Sequence, residues 1–135
     1  MTAYIDSSAL LKLYLAEPET DTAFDVMHRY PVWTTGRHTL VEVRRNLARL
    51  LVDRDLAVAR RAFAEDWENV AVVELDGPTC EQAAKLAEQT GIKSLDALHL
   101  GAAAVAGATD GLPIISFDRR LSEAARSVGW TVLPE

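Results

Sequence analysis

Short apolar runs alternate along this chain with longer segments in which apolar residues recur every three or four positions. The runs are Ala3–Asp6, Val32–Thr34, Val70–Leu75, Pro113–Phe117 and Trp130–Leu133. They lack the in–out alternation of a half-exposed antiparallel sheet, so they predict parallel strands covered on both faces. The periodic segments predict helices over residues 7–17, 18–30, 38–55, 56–69, 78–91, 94–107 and 119–129. Pro18 suits a first helical turn. Leu40, Val43, Leu47 and Leu50 form one apolar helix face, and Gly91 stands where a helix would close. Strands alternating with helices imply right-handed crossovers and a three-layer α/β/α sandwich with a mainly parallel sheet. Such open sheets bind ligands beyond the carboxyl ends of their strands, where the strand order reverses.

Composition narrows the class. The 135 residues are 49% hydrophobic and only 7% aromatic, with no repeat and no linker, which predicts one domain spanning residues 1–135. The single cysteine, Cys80, has no disulfide partner within the chain; it fits a reducing compartment and is expected to pack in the interior. No run has membrane-span length and Asp6 interrupts the first apolar residues, so no signal peptide or anchor is expected and the location implied is cytoplasmic. A formal charge of −6 argues against an indiscriminate electrostatic grip on nucleic acid. A phosphate-bearing substrate would need a local basic patch or bound cations. Trp33, Trp67 and Trp130 are dispersed core candidates, with no aromatic platform for stacking bases.

The carboxylates carry the chemistry. Asp6 ends the first strand and Asp118 stands just past PIISF, so both belong to the same sheet edge. Each is also well placed to cap the helix that follows it. Glu42 lies beside the Leu40/Val43/Leu47 stripe, on the side of Asn46 and Arg49. Asp96 opens a helix that Ser94 can cap, where a negative charge meets the positive end of the macrodipole. Four carboxylates brought together would raise one another's pKa unless a cation joined them. An all-oxygen donor set suits Mg²⁺ or Mn²⁺ rather than zinc. Of the histidines, His28 and His38 are expected at the surface or an interface. His99, one turn after Asp96, either flanks the site or packs.

Four segments in order, YIDSSALLKLYLAE, HTLVEVRRNLARL, SLDALHLGAAA and ISFDRRL, resemble the PIN-domain ribonucleases of the VapC toxin type. The likeness covers essentially the whole chain. It implies that Asp6, Glu42, Asp96 and Asp118 are the family's acidic residues and that they hold Mg²⁺ or Mn²⁺. It also implies a polar role for Ser116, two residues before the last acid, with Ser7 or Ser8 as a further neighbour. The insert AGATDGLP departs mildly from the pattern and is expected to lengthen one loop. The implied activity is metal-dependent hydrolysis of structured RNA, a tRNA or ribosomal stem-loop, leaving a 5′-phosphate and a 3′-hydroxyl and inhibiting translation. A VapB-like antitoxin is the implied partner, with a homodimer or toxin–antitoxin hetero-oligomer as the assembly. Leu11, Leu15 and Phe24 are either part of an antitoxin groove or ordinary core.

Basic residues cluster near the acids, and Arg37 and Arg119 are candidate RNA contacts; solvated pairing along a helix, as for Arg60 and Arg61 with Glu65, is the plainer role for such side chains. Two other functions share the fold class. An aspartate-based phosphotransfer or phosphatase domain would want a lysine late in the chain, where ISFDRRL has arginines, and a second acid after Asp6, where two serines stand. A catalytically silent binding module would not need all four acids.

Overall fold

The computed structural model describes residues 1–135. Its strands are β1 (Thr2–Ile5), β2 (Val32–Gly36), β3 (Ala71–Val73), β4 (Ile114–Ile115) and β5 (Val132–Leu133). Its helices are α1 (Ser7–Leu11), α2 (Thr20–Met27), α3 (His38–Leu50), α4 (Asp53–Trp67), α5 (Gly77–Thr90), α6 (Ser94–Ala106) and α7 (Arg119–Ser127). The strands form one sheet in the order β3-β2-β1-β4-β5, every pair parallel. The predicted α/β/α sandwich is therefore correct. No helix is long and apolar enough to cross a membrane.

Successive residues of a strand face opposite sides of the sheet, and here each side meets its own core. Ala3, Ile5 and Ile115 pack with Val26, Met27, Val43, Leu47 and Phe63 on the α1–α4 side. Tyr4, Ile114 and Val132 pack with Leu100, Leu121 and Ala125 on the α5–α7 side. The chain winds outward from β1 through β2 to β3, then returns to the other side of β1 as β4. The strand order reverses between β1 and β4, where Ile5 pairs with Ile115 and the Asp6 N–H donates to the Ile115 carbonyl at 3.3 Å.

One helix contact requires glycine. A Cβ on Gly101 of α6 would lie 2.7 Å from the Ala83 Cβ and 2.8 Å from the Thr79 carbonyl oxygen of α5. Small residues on α6, with Gly101, Ala102 and Ala103 all buried, let α6 lie tight between the sheet and α5. α5 is well bounded: Asp76 accepts from the Thr79 N–H at 3.0 Å, and Gly91 ends the helix with φ 74°.

The differences from the sequence reading are local. α1 stops at Leu11, and residues 12–15 form turns rather than more helix. Pro18 precedes α2 in a turn instead of entering its first turn, because the helix starts only at Thr20. The helix expected over 38–55 breaks at Leu51, whose backbone is extended, and α4 begins at Asp53 with φ 51°. Asp tolerates that left-handed conformation better than most residues, and no Gly or Pro marked it. Leu50, counted on the apolar face of α3, is exposed. Cys80 is exposed too, since α5 buries Thr79, Ala83 and Leu86 and Cys80 lies off that stripe. Leu11, Leu15 and the three tryptophans are partly buried against the two cores; Phe24 is exposed and stacked on the exposed His28. The AGATDGLP segment forms a single 3₁₀ turn at Ala108–Asp110 between Gly107 and Gly111.

Candidate active site

Asp6 is the most constrained of the four acids. It is buried at the carboxyl end of β1 and is the N-cap of α1. Its Oδ1 accepts from the Ser8 hydroxyl at 2.7 Å and the Ala9 N–H at 2.9 Å, and its Oδ2 accepts from the Ser116 hydroxyl at 2.6 Å. Capping and site geometry thus coincide in one carboxylate. The register across β1 and β4 sets the Ser116 bond, because Ile5 and Ile115 are partners and the next residues of both strands meet beyond them. Burial raises the Asp6 pKa, opposed by the nearby His99 and by the donors from Ser116, Ser8 and Ala9.

Asp118 follows β4 and caps α7, its Oδ1 accepting from the Leu121 N–H at 2.9 Å while its own N–H donates to Ser116 Oγ at 3.0 Å. Asp96 is different. It lies in the first turn of α6, half-buried, with no hydrogen-bond partner in the protein. Its pKa is raised first by burial and then by the negative charge of Asp118; His99 acts the other way, and Glu42 and Asp6 add to the rise. The charges of Asp118, Glu42 and Asp6 all act on this one carboxyl, so the four acids lie in the same neighbourhood at the sheet rim. Ser94 does not cap this helix: Lys93 occupies the cap position with no side-chain bond, and Ser94 is already helical.

Glu42, one turn into α3, receives a 2.7 Å hydrogen bond from His99 Nε2 on its Oε1. Burial alone would raise its pKa. The His99 bond, the proximity of His99 and His38, and the Ser7 side chain outweigh that and hold it below the ordinary carboxylate range. Ser7 and Ser8 therefore divide the two acids between them: Ser8 serves Asp6 and Ser7 faces Glu42. Ser8, whose hydroxyl oxygen also accepts from the Phe117 N–H at 2.9 Å, was legible only as one of two adjacent serines.

Of the three histidines only His38 departs from expectation. His99 is buried, its Nδ1 paired with the Tyr4 hydroxyl at 2.8 Å, so it flanks the acids through Glu42. His38, expected at the surface, is buried with its ring 4.1 Å from that of His99. Burial, then the neighbouring His99, lower its pKa to about 4 against the opposing pull of Glu42 and the Leu95 carbonyl, so it is neutral near pH 7. The reason is tertiary: α6 closes over the start of α3, which its own periodicity leaves open.

The arginines are already paired. Arg37 makes a two-pronged bond to Glu74, with Nε to Oε1 at 2.9 Å, and Arg119 Nε donates to Glu123 at 3.0 Å. Arg60 and Arg61 form no ion pair with Glu65. No Lys or Arg forms an ion pair with any of the four acids. The cations beside Asp96 are Lys93 and Arg120, which line an open cleft of about 420 Å³ with Gly91 and Glu123. Arg120 was legible from its place after Asp118; Lys93 was not singled out by any pattern.

The carboxylates retain free acceptor sites. Asp6 Oδ2 and Asp118 Oδ1 each accept one bond and Asp96 accepts none, so oxygen lone pairs remain for a hard cation, whose charge would relieve the repulsion on Asp96. The donor set fits Mg²⁺ or Mn²⁺.

The PIN domain family matches residues 3–127. The chain belongs to that family. Ribonuclease VapC45 of Mycobacterium tuberculosis is 33% identical to it over 97% of this chain and 94% of that protein, which sets it among the VapC members. The fold is shared with M. tuberculosis VapC20, described as a sarcin–ricin loop cleaving toxin, at TM-score 0.73 and 20% identity over 97% of both chains. A toxin–antitoxin complex from Klebsiella pneumoniae contains the same fold, at TM-score 0.67 and 16% identity over 86% of both chains.

Proposed function

We propose that this PIN-domain protein is a divalent-metal-dependent endoribonuclease toxin, with Asp6, Glu42, Asp96 and Asp118 as its catalytic acids. The observation that carries the reading is the half-buried, unpaired Asp96 carboxyl under the combined fields of Asp118, Glu42 and Asp6. Repulsion of that kind is unfavourable in the cation-free chain and is a gain when Mg²⁺ or Mn²⁺ binds. The bound ion would engage phosphate oxygens, lower the pKa of water and offset charge on the leaving oxygen.

The chain's own residues supply the rest. Asp6, held by three donors, fixes one edge of the metal site; Asp118 and Asp96 supply the other oxygens; Glu42, oriented by His99, completes the cluster or positions water. Ser116 ties Asp6 to the loop that carries Asp118. Lys93 and Arg120 can take the phosphates on either side of the cut, and Arg37 and Arg119 reach RNA only by leaving Glu74 and Glu123. Selection among RNAs would rest on folded shape, a tRNA or ribosomal stem-loop, and cutting it would stop translation. The names of the similar proteins support this assignment, and support a VapB-like antitoxin as the partner in a hetero-oligomer. A basic antitoxin side chain suits the acidic cleft.

Purified chain incubated with total RNA tests the reading. Discrete cuts bearing 5′-phosphates are expected with Mg²⁺ or Mn²⁺, none with chelator, and none from Asp96→Asn. Cutting that persists in chelator would overturn it.

A further inference from the structure

One group of ligands overlaps the four acids at Glu42 alone. His38 and Glu42 lie one turn apart on α3, and α6 brings His99 against both. One ligand atom from each of the three lies within 4.8 Å of the other two. Glu42 Oε1 is 2.7 Å from His99 Nε2 and 3.8 Å from His38 Nε2. His38 is only 8% exposed, and neither of its ring nitrogens makes a hydrogen bond of good geometry, the Leu95 carbonyl standing only near enough to favour the charged ring. A buried polar ring that bonds to nothing is costly and calls for a partner. The absence of a side chain at Gly36 makes room for the ring, since a Cβ there would lie 2.7 Å from His38 Cε1.

We propose that His38, Glu42 and His99 form a binding site for a borderline transition-metal ion, Zn²⁺ in the first instance, separate in donor chemistry from the oxygen-only acid cluster. Two imidazole nitrogens and one carboxylate oxygen are a zinc donor set, with water completing the coordination, whereas Mg²⁺ prefers oxygen. Tetrahedral zinc needs its ligand atoms about 3.3 Å apart, so small rotamer changes convert the observed separations into a site. The outer shell is in place. Tyr4 Oη sits 2.8 Å from His99 Nδ1 and accepts from the Gly36 N–H at 3.1 Å. It can accept a hydrogen bond from Nδ1–H when Nε2 turns to the metal.

Because the ion takes an oxygen of Glu42, it withdraws that carboxylate from the acid cluster. Zn²⁺ therefore opposes Mg²⁺-supported cleavage; this consequence rests on the nuclease reading, while the binding itself does not.

The test is calorimetric titration of the full chain with Zn²⁺ in a Cys80→Ser background, with Co²⁺ absorption as a report on tetrahedral geometry. Stoichiometric binding is expected, weakened at least about tenfold in His38→Ala and in His99→Gln. It should persist in Asp118→Asn, and excess Mg²⁺ should weaken it only as far as the two ions compete for Glu42. Circular dichroism checks the folding of each variant; His38→Ala removes no hydrogen bond, so it decides the matter if His99→Gln does not fold. Zinc binding that is absent, survives His38→Ala or disappears in Asp118→Asn would overturn the site. Binding that behaves as expected in a chain that cuts no RNA would leave the site standing and sink only the nuclease reading.

Discussion

Asp6 and Asp96 stand at the same rim of the sheet in opposite circumstances. Asp6 follows a strand, is buried, and has three donors aimed at it; Asp96 opens a helix, is half-buried, and has none. Asp6 is part of the framework as much as of the chemistry, so its carboxylate is satisfied without a cation. Asp96 is a charge the fold brings in without balancing. Strand register and capping build one side of the pocket, and the other side carries an electrostatic tension that the proposed metal would relieve.

Substitution separates the two. Asp6→Ala and Asp96→Asn are both expected to lower RNA cleavage by about two orders of magnitude or more. They should part company in cation-free melting: Asp6→Ala removes a cap and orphans two hydroxyls, a loss of about 2–4 kcal/mol, whereas Asp96→Asn relieves repulsion and raises the melting temperature. A fall in both would erase the contrast. Ser116→Ala, which frees the Asp6 carboxylate to swing, should cost about 10- to 100-fold in activity while a denaturant melt moves far less than for Asp6→Ala. Gly101→Ala presses a methyl into Ala83 and is expected to cost about 1–3 kcal/mol by the same melt.

A subtler effect is in pH. The Asp96 carboxyl titrates higher in the folded chain than its ordinary 3.8, so the folded state holds that proton more tightly and Asp96 opposes folding as pH rises above that value. The melting-temperature gain of Asp96→Asn should therefore grow from about pH 4 upward and shrink when Mg²⁺ is added. A gain independent of pH would mean that charge repulsion is not its cause. Smallest of all, Arg37→Ala should weaken RNA binding less than Lys93→Ala in a filter-binding assay, because Glu74 already neutralises Arg37.

How much of this was legible depends on how far apart the cause and its effect lie along the chain. Near-continuous apolar strands and the acids at their ends specify the sheet and its rim, since both are local patterns. Cys80 could have been assigned outward from the same periodicity, as it sits one position off the Thr79/Ala83/Leu86 stripe. His38 could not: its burial depends on α6 arriving over α3, and nothing around His38 encodes that approach. The choice between Ser7 and Ser8 was similarly hidden, because it depends on the direction in which α1 leaves β1. The break at Leu51 came from an Asp backbone conformation that composition does not flag. The pairing of Arg37 with Glu74 joins α3 to the loop after β3, again a contact made only by the assembled sheet.

The bond between Ser116 and Asp6 joins nearly opposite ends of the polypeptide. A ribosome must finish almost the whole chain before β4 can slide in beside β1, so prematurely terminated products carry the first acid without its counterpart. Such a fragment lacks both Ser116 and Asp118 and would be inert under the proposed mechanism.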